Sequence, residues 1–149
     1  MIDLLSDDFD PAARLSAFTA SVDGAGAIAS FVGLVRDQSA DARVRRLRLD
    51  YHPTLTRASI EAAAQAAARR WGLRDILVLH RVGDVQAGAP IVLAATAADH
   101  RRAAFEACDH LMDYLKTQAP FWKLEITDQG ERWIEPRAQD YKDAARWRA

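Results

Sequence analysis

A chain of 149 residues, half of them hydrophobic, is long enough to bury one core and too apolar for an unfolded polymer. Its formal net charge of -1 excludes a protein that tracks nucleic acid by bulk electrostatics, so any cationic site must be focal. The single cysteine, Cys108, excludes an internal disulfide framework and a zinc site of several cysteines, as suits a reducing cytoplasm, and no apolar run reaches the ~18 residues of a membrane span or follows an export-leader pattern.

In chain order, Asp10 and Pro11 form a capping pair that predicts a short helix from Pro11 to Ala20, with Leu15 and Phe18 on one face. AIASFVGLVRD reads as a mostly buried strand interrupted at Gly33 and closed by Arg36 and Asp37. VRRLRLDYH alternates Leu47, Leu49 and Tyr51 with Arg46, Arg48 and Asp50, the period of a strand with one wet face. After the His52-Pro53 break, TRASIEAAAQAAARRWG is a long helix stopped by Gly72. RDILVLHRVGDV reads as one strand, QAGAP as a turn and IVLAATAA as its antiparallel partner. Asp99 then caps a second long helix, HRRAAFEACDHLMDYLKTQ, with Ala104, Cys108, Leu111, Met112 and Leu115 on its apolar stripe. WKLEIT and RWIEP form a hairpin around DQGE, and the tail after it is either helical or frayed. The order α, β, β, α, β, β, α, β, β is an α+β pattern in one domain, 1–149, dominated by hairpins.

Of the 20 basic residues only Lys116, Lys123 and Lys142 are lysine, and the first two lie seven residues apart around a proline turn. Lys116 falls in the last turn of the second long helix; Lys123 lies on the next strand, on the face it shares with Glu125 and opposite Leu124. Turned toward one pocket, two ammonium groups crowd each other, and a crowded, partly dry lysine can release a proton where an arginine cannot. For one lysine alone a plainer explanation suffices, dipole complementation at a helix end or a solvated strand face. The pairing in an arginine-rich chain is what raises the catalytic reading. We expect Lys123, beside Glu125, to stay charged and Lys116 to be the proton-transferring group.

At the other end of the same helix His100, Arg101 and Arg102 crowd the first turn, where unpaired backbone N–H groups point outward; an anion there resolves the conflict with the dipole. Arg36 is a candidate third contact. His52 and His80 have no partner at metal-ligand spacing, so neither a metal nor another cofactor is expected, and His110 reads as a surface residue and Cys108 as a small core residue.

Together GAIASFVGLVRD, LDYHPTLT, ILVLHRVGDVQAG, ADHRRAAFEACDHLMDYLKTQAPFWKLE and RWIEPR resemble the large, catalytic subunit of molybdopterin synthase, from about Gly26 to Arg137. The resemblance implies an α/β hammerhead fold with antiparallel sheets, a sulfurtransferase activity, and a homodimer within a heterotetramer. It implies as partner a small ubiquitin-like sulfur carrier whose C-terminal Gly-Gly thiocarboxylate enters a pocket and gives sulfur to cyclic pyranopterin monophosphate, making the molybdopterin dithiolene. Lys116 and Lys123 match the family's lysines, and Arg36, His100 and Arg101 its anion-binding residues. Glu125 follows the second lysine as in the family, and Leu34, Val35 and Leu124 fall among its substrate-contact positions, Leu34 standing where relatives often carry a basic residue. A non-catalytic homodimer that binds a carrier tail or phosphometabolite is the alternative, and intact Lys116 and Lys123 argue for the enzyme. Neither nucleic acid nor membrane is implied as a partner.

Overall fold

The computed structural model describes residues 1–148. Two sheets share the chain. The first has the order β1 (Ile2–Leu5), β5 (Asp75–Arg81), β7 (Pro90–Ala98), β2 (Ala27–Leu34). β1 had no counterpart in the predicted order and pairs in parallel with β5; the other pairings in both sheets are antiparallel. The second sheet is built on β4 (Ala42–Tyr51), which has β8 (Phe121–Thr127) on one edge, followed by β9 (Gly130–Ile134). Its other edge takes the two-residue β3 (Gln38–Ser39) and then β6 (Gly83–Gln86). The result is the α+β architecture with two long helices that the sequence predicted.

The segment RDILVLHRVGDV, expected as one strand, is two strands in two sheets. Gly83 adopts φ +75°, a conformation that costs a residue with a Cβ, and there the chain leaves β5 for the edge of β4. Val82 and Val85, on either side of the break, are both buried, so periodicity alone does not reveal it.

Both faces of the first sheet are covered, which explains its near-continuous apolar strands. Ile76, Val78 and Val92 pack against Ile60, Ala64 and Ala67 of α2 (Pro53–Trp71) and Leu111 and Leu115 of α3 (Arg101–Thr117). On the other face Leu77, Leu79, Leu93, Ala95 and Ala97 meet Phe18 of α1 (Pro11–Ser21). α1 starts as predicted, with Asp10 accepting from the N–H groups of Ala12 and Ala13, a cap worth about 1 kcal/mol. α2 ends at Gly72 in the left-handed conformation.

α3 lies close on β2 and β7 because both surfaces are small. Ala104 and Cys108 pack on Ala29, Ala94 and Ala98, and the Thr96 hydroxyl donates to Ala104 O at 2.7 Å. The tail forms a fourth helix, α4 (Ala138–Ala145), packed on α3. His110, expected at the surface, is partly buried between Trp71 and Trp147, with ring centroids at 5.1 and 5.4 Å. The C-terminal turn after α4 covers it. No helix of the described residues is long and apolar enough to cross a membrane.

Candidate active site

Two elements set the site. α3 carries Lys116 into its last turn, and the Ala119-Pro120 stop returns the chain as β8 beside β4, with Lys123 opposite Leu49 on one neighbour and Ile134 on the other. Between the sheets and the end of α3 is a cavity of about 440 Å³ with a mostly hydrophobic wall. Phe31, Leu34, Val35, Leu47, Ile91, Met112 and Leu115 supply that wall; Arg36, His80, Asp113, Lys116 and Lys123 are its ionisable groups. The two lysines thus meet at one cavity.

Their environments differ from those expected from the sequence. Lys116 is exposed at the rim, whereas Lys123 is half-buried in the wall. Burial first, and then the charge of Lys116, lower Lys123 from an ordinary 10.5 to about 8. Glu125 does not hold Lys123 in its charged form, because it faces Arg132 across the β8–β9 ladder and accepts from Arg132 Nε at 3.0 Å. Strand alternation puts Lys123 and Glu125 on one face; it cannot show that a cross-strand arginine takes the carboxylate first. Leu124 points to the opposite face into the core and, like Glu125, does not line the cavity.

His80 was set aside in the sequence for want of a metal partner, and it forms part of the cavity wall. Its ring stacks on Phe121 with centroids 4.2 Å apart, and its Nδ1–H donates to Arg81 O at 2.8 Å. Burial pushes it down to about 4, so it is a neutral wall at neutral pH and adds no third positive charge beside Lys123. The sequence signals for it were its place in an apolar run and in the motif ILVLHRVGDVQAG.

The anion-binding candidates are split. Arg36 follows the bulge that ends β2 and faces the lysine cavity. His100 and Arg101 line a separate, open cavity with Gly26, Ala27, Arg102 and Phe105. β2 and α3 run side by side, Ala27 pairing with Ala98 just before the helix starts, so His100 is a helix length from Lys116, roughly 24 Å at 1.5 Å per residue. Within one chain the expected grouping of Arg36, His100 and Arg101 therefore does not form. The expected cap also differs: His100, not Asp99, is the N-cap, and it makes no side-chain cap bond. Asp99 instead accepts from Arg74 Nε at 2.7 Å, an ion pair that holds its carboxyl below the usual range. The first turn of α3 is left with free N–H groups, Arg101 and Arg102, and no acidic residue, an arrangement that favours an anion.

This is an α/β hammerhead protein with an ammonium pair set at an apolar cavity. The family model described as "MoaE protein" matches residues 4–118, starting well before Gly26, where the sequence motifs begin. A molybdopterin synthase catalytic subunit of Caulobacter vibrioides is 49% identical over 147 residues, covering 99% of this chain and 97% of the relative. The solved molybdopterin biosynthesis MoaE protein of Burkholderia ambifaria is 42% identical with a TM-score of 0.82, covering 100% of this chain and 99% of that one. A Helicobacter pylori complex of subunits 1 and 2 of molybdopterin-converting factor contains a chain of the same fold, with TM-score 0.77 at 22% identity and 91% of each chain covered. The chain belongs to the MoaE family, that of the molybdopterin synthase catalytic subunits.

Proposed function

We propose that the chain is a sulfurtransferase that moves sulfur from the C-terminal thiocarboxylate of a small ubiquitin-like carrier to cyclic pyranopterin monophosphate, building the molybdopterin dithiolene in the cytoplasm. The observation that carries this reading is the meeting of Lys116 and Lys123 at one apolar cavity, with Lys123 lowered to about 8. A thiocarboxylate that gives up its sulfur ends as a carboxylate, its new oxygen coming from water, so each transfer needs a group that accepts and returns protons near neutrality. Lys123 is placed and tuned for that work. Lys116, exposed at the rim in the last turn of α3, serves as a fixed cation for the thiocarboxylate or the developing oxyanion. Arg36, with Leu34 and Val35 beside it, lines the same cavity and receives the substrate there.

The separation of His100 and Arg101 from the lysines supports a homodimer in which the α3 N-terminus of one copy completes the phosphate site of the other. The edge strand β2 exposes Phe31 (44%), Val32 (40%) and Leu34 (57%) beside the lysine cavity, an apolar strip suited to such pairing. With one carrier on each copy the assembly is a heterotetramer. The carrier's tail is glycine-ended because a side chain would clash in a passage leading to the half-buried Lys123 amine.

The test is incubation with a thiocarboxylated carrier and cyclic pyranopterin monophosphate, with detection of the dithiolene product. Product formation supports the enzyme. Binding of the carrier tail without product, using a carrier competent with another synthase, favours the non-catalytic module instead.

A further inference from the structure

His80 is a polar residue at a position where an apolar one would complete the core. On β5 it follows Ile76 and Val78 on the face that packs against α2 and α3, pairs with Leu4 on one neighbour and Val92 on the other, and is only 5% exposed. Its ring is fixed on two sides. Phe121 stacks on it with 19° between the planes. The carbonyl of Arg81 can only accept, so the contact at 2.8 Å makes Nδ1 the protonated nitrogen. Arg81 is itself anchored: its buried side chain donates to Leu5 O at 3.2 Å, Ser6 O at 3.1 Å and Asp84 O at 2.9 Å, and it pairs with Asp8.

Nε2 is left with a lone pair and no protein partner among the described residues. It is not walled in either, because the sealed side-chain atoms without a partner among those residues are Arg46 Nε and His110 Nδ1. Its opening is the lysine cavity, which the ring lines. The other ionisable groups of that cavity offer no free acceptor. Arg36, Lys116 and Lys123 are donors, and the Asp113 carboxylate is occupied by Arg146 at 3.0 Å and Trp147 Nε1 at 2.6 Å. Burial first, and then Lys123, keep the imidazole neutral near pH 7.

We propose that His80 is a substrate-binding residue whose Nε2 accepts a hydrogen bond from a ring N–H of the pterin, fixing which edge of the heterocycle faces the lysine pair. The assignment of the donor to a pterin rests on the sulfur-transfer reading. A carboxylate at this position would neutralise a lysine, and a cation could not accept; a neutral imidazole accepts without disturbing either ammonium. Its lone pair also repels an anion, which leaves the thiocarboxylate to Lys116. An unmatched buried nitrogen costs stability that a leucine here would not, and a bound donor offsets that cost.

The experiment is nitrogen NMR of protein labelled in its four histidines, titrated with cyclic pyranopterin monophosphate in the absence of carrier. The His80 signals are assigned by their loss in His80→Gln. In the free protein His80 should show a protonated Nδ1 and an unprotonated Nε2; saturation should move Nε2 upfield and leave Nδ1 in place. His80→Phe keeps an aromatic ring against Phe121 and removes the acceptor, and should weaken pterin binding by about tenfold or more in calorimetry. His80→Gln, whose amide oxygen reaches the region of Nε2, should stay within about threefold of wild type. An Nε2 resonance unmoved by saturating pterin, or a folded His80→Phe protein that binds it as tightly as wild type, overturns the proposal. Should His80→Phe fail to fold, the resonance decides alone. A wild-type protein that neither binds the pterin nor makes the dithiolene removes the sulfur-transfer reading and this proposal with it, whereas turnover with an unmoved resonance removes this proposal only.

Discussion

Replacing Lys123 by arginine separates a cation from a proton carrier. With a midpoint of about 8, roughly one Lys123 in ten is a neutral amine at pH 7, against about one in three thousand for a lysine at 10.5. The cavity therefore raises the population of the neutral amine about 300-fold. A guanidinium keeps the charge and cannot deprotonate, so Lys123→Arg should lower the single-turnover rate of dithiolene formation by about 10²–10³-fold at pH 7, nearly as much as Lys123→Ala. Lys116→Arg, which preserves the rim cation, should retain more than about a tenth of the rate. The wild-type rate should rise with pH and level off near 8. Circular dichroism and carrier binding serve as controls for folding and docking. A Lys123→Arg rate within about threefold of wild type, or a wild-type profile flat from pH 6 upward, would show that Lys123 acts only through its charge.

The same burial has a stability consequence. The folded value lies below the unfolded one, so the folded state is penalised wherever the unfolded lysine holds a proton, fully below about 8 and not at all above 10.5. Lys123→Met should thus stabilise the protein at pH 7 by up to about 3 kcal/mol, with the gain vanishing as pH rises through that window; urea midpoints at pH 7 and 10 check it. His80 works in the acid range: pushed down from 6.5 to about 4, it should make stability fall as pH drops from 6.5 toward 4, and His80→Gln should remove that component of the slope in urea unfolding. Cys108 is buried and pushed up to about 11, so iodoacetamide at pH 7.5 should leave the native protein unmodified by mass spectrometry and label it once in denaturant. At Gly26 a Cβ would stand 2.2 Å from Asp99 O, so Gly26→Ala should cost about 1–3 kcal/mol by calorimetry and disturb the α3 N-terminus; an unchanged melting temperature would refute the close approach.

Local rules made much of the fold legible in the sequence. The Asp10 cap, the alternation of β4 at Leu47 and Leu49, the Gly72 stop of α2 and the apolar stripe of α3 are each set by residues within a turn or two of one another, and the structure has them where the sequence reads them, although Tyr51 at the end of β4 is exposed. The presence of two lysines around a proline turn was equally local. Tertiary structure decided what those lysines face. Lys123 is the drier of the pair because β4, β9 and the end of α3 close around it, and Glu125 is unavailable to it because Arg132 comes from the neighbouring strand. Likewise Asp99 was the natural cap by position, but Arg74, 25 residues earlier, took its carboxylate. The parting of Arg36 from His100 follows from the lengths of β2 and α3, which fix how far apart their two ends must be. Charge state and partnership depend on burial and on groups distant in sequence, so they appear only when the chain is folded.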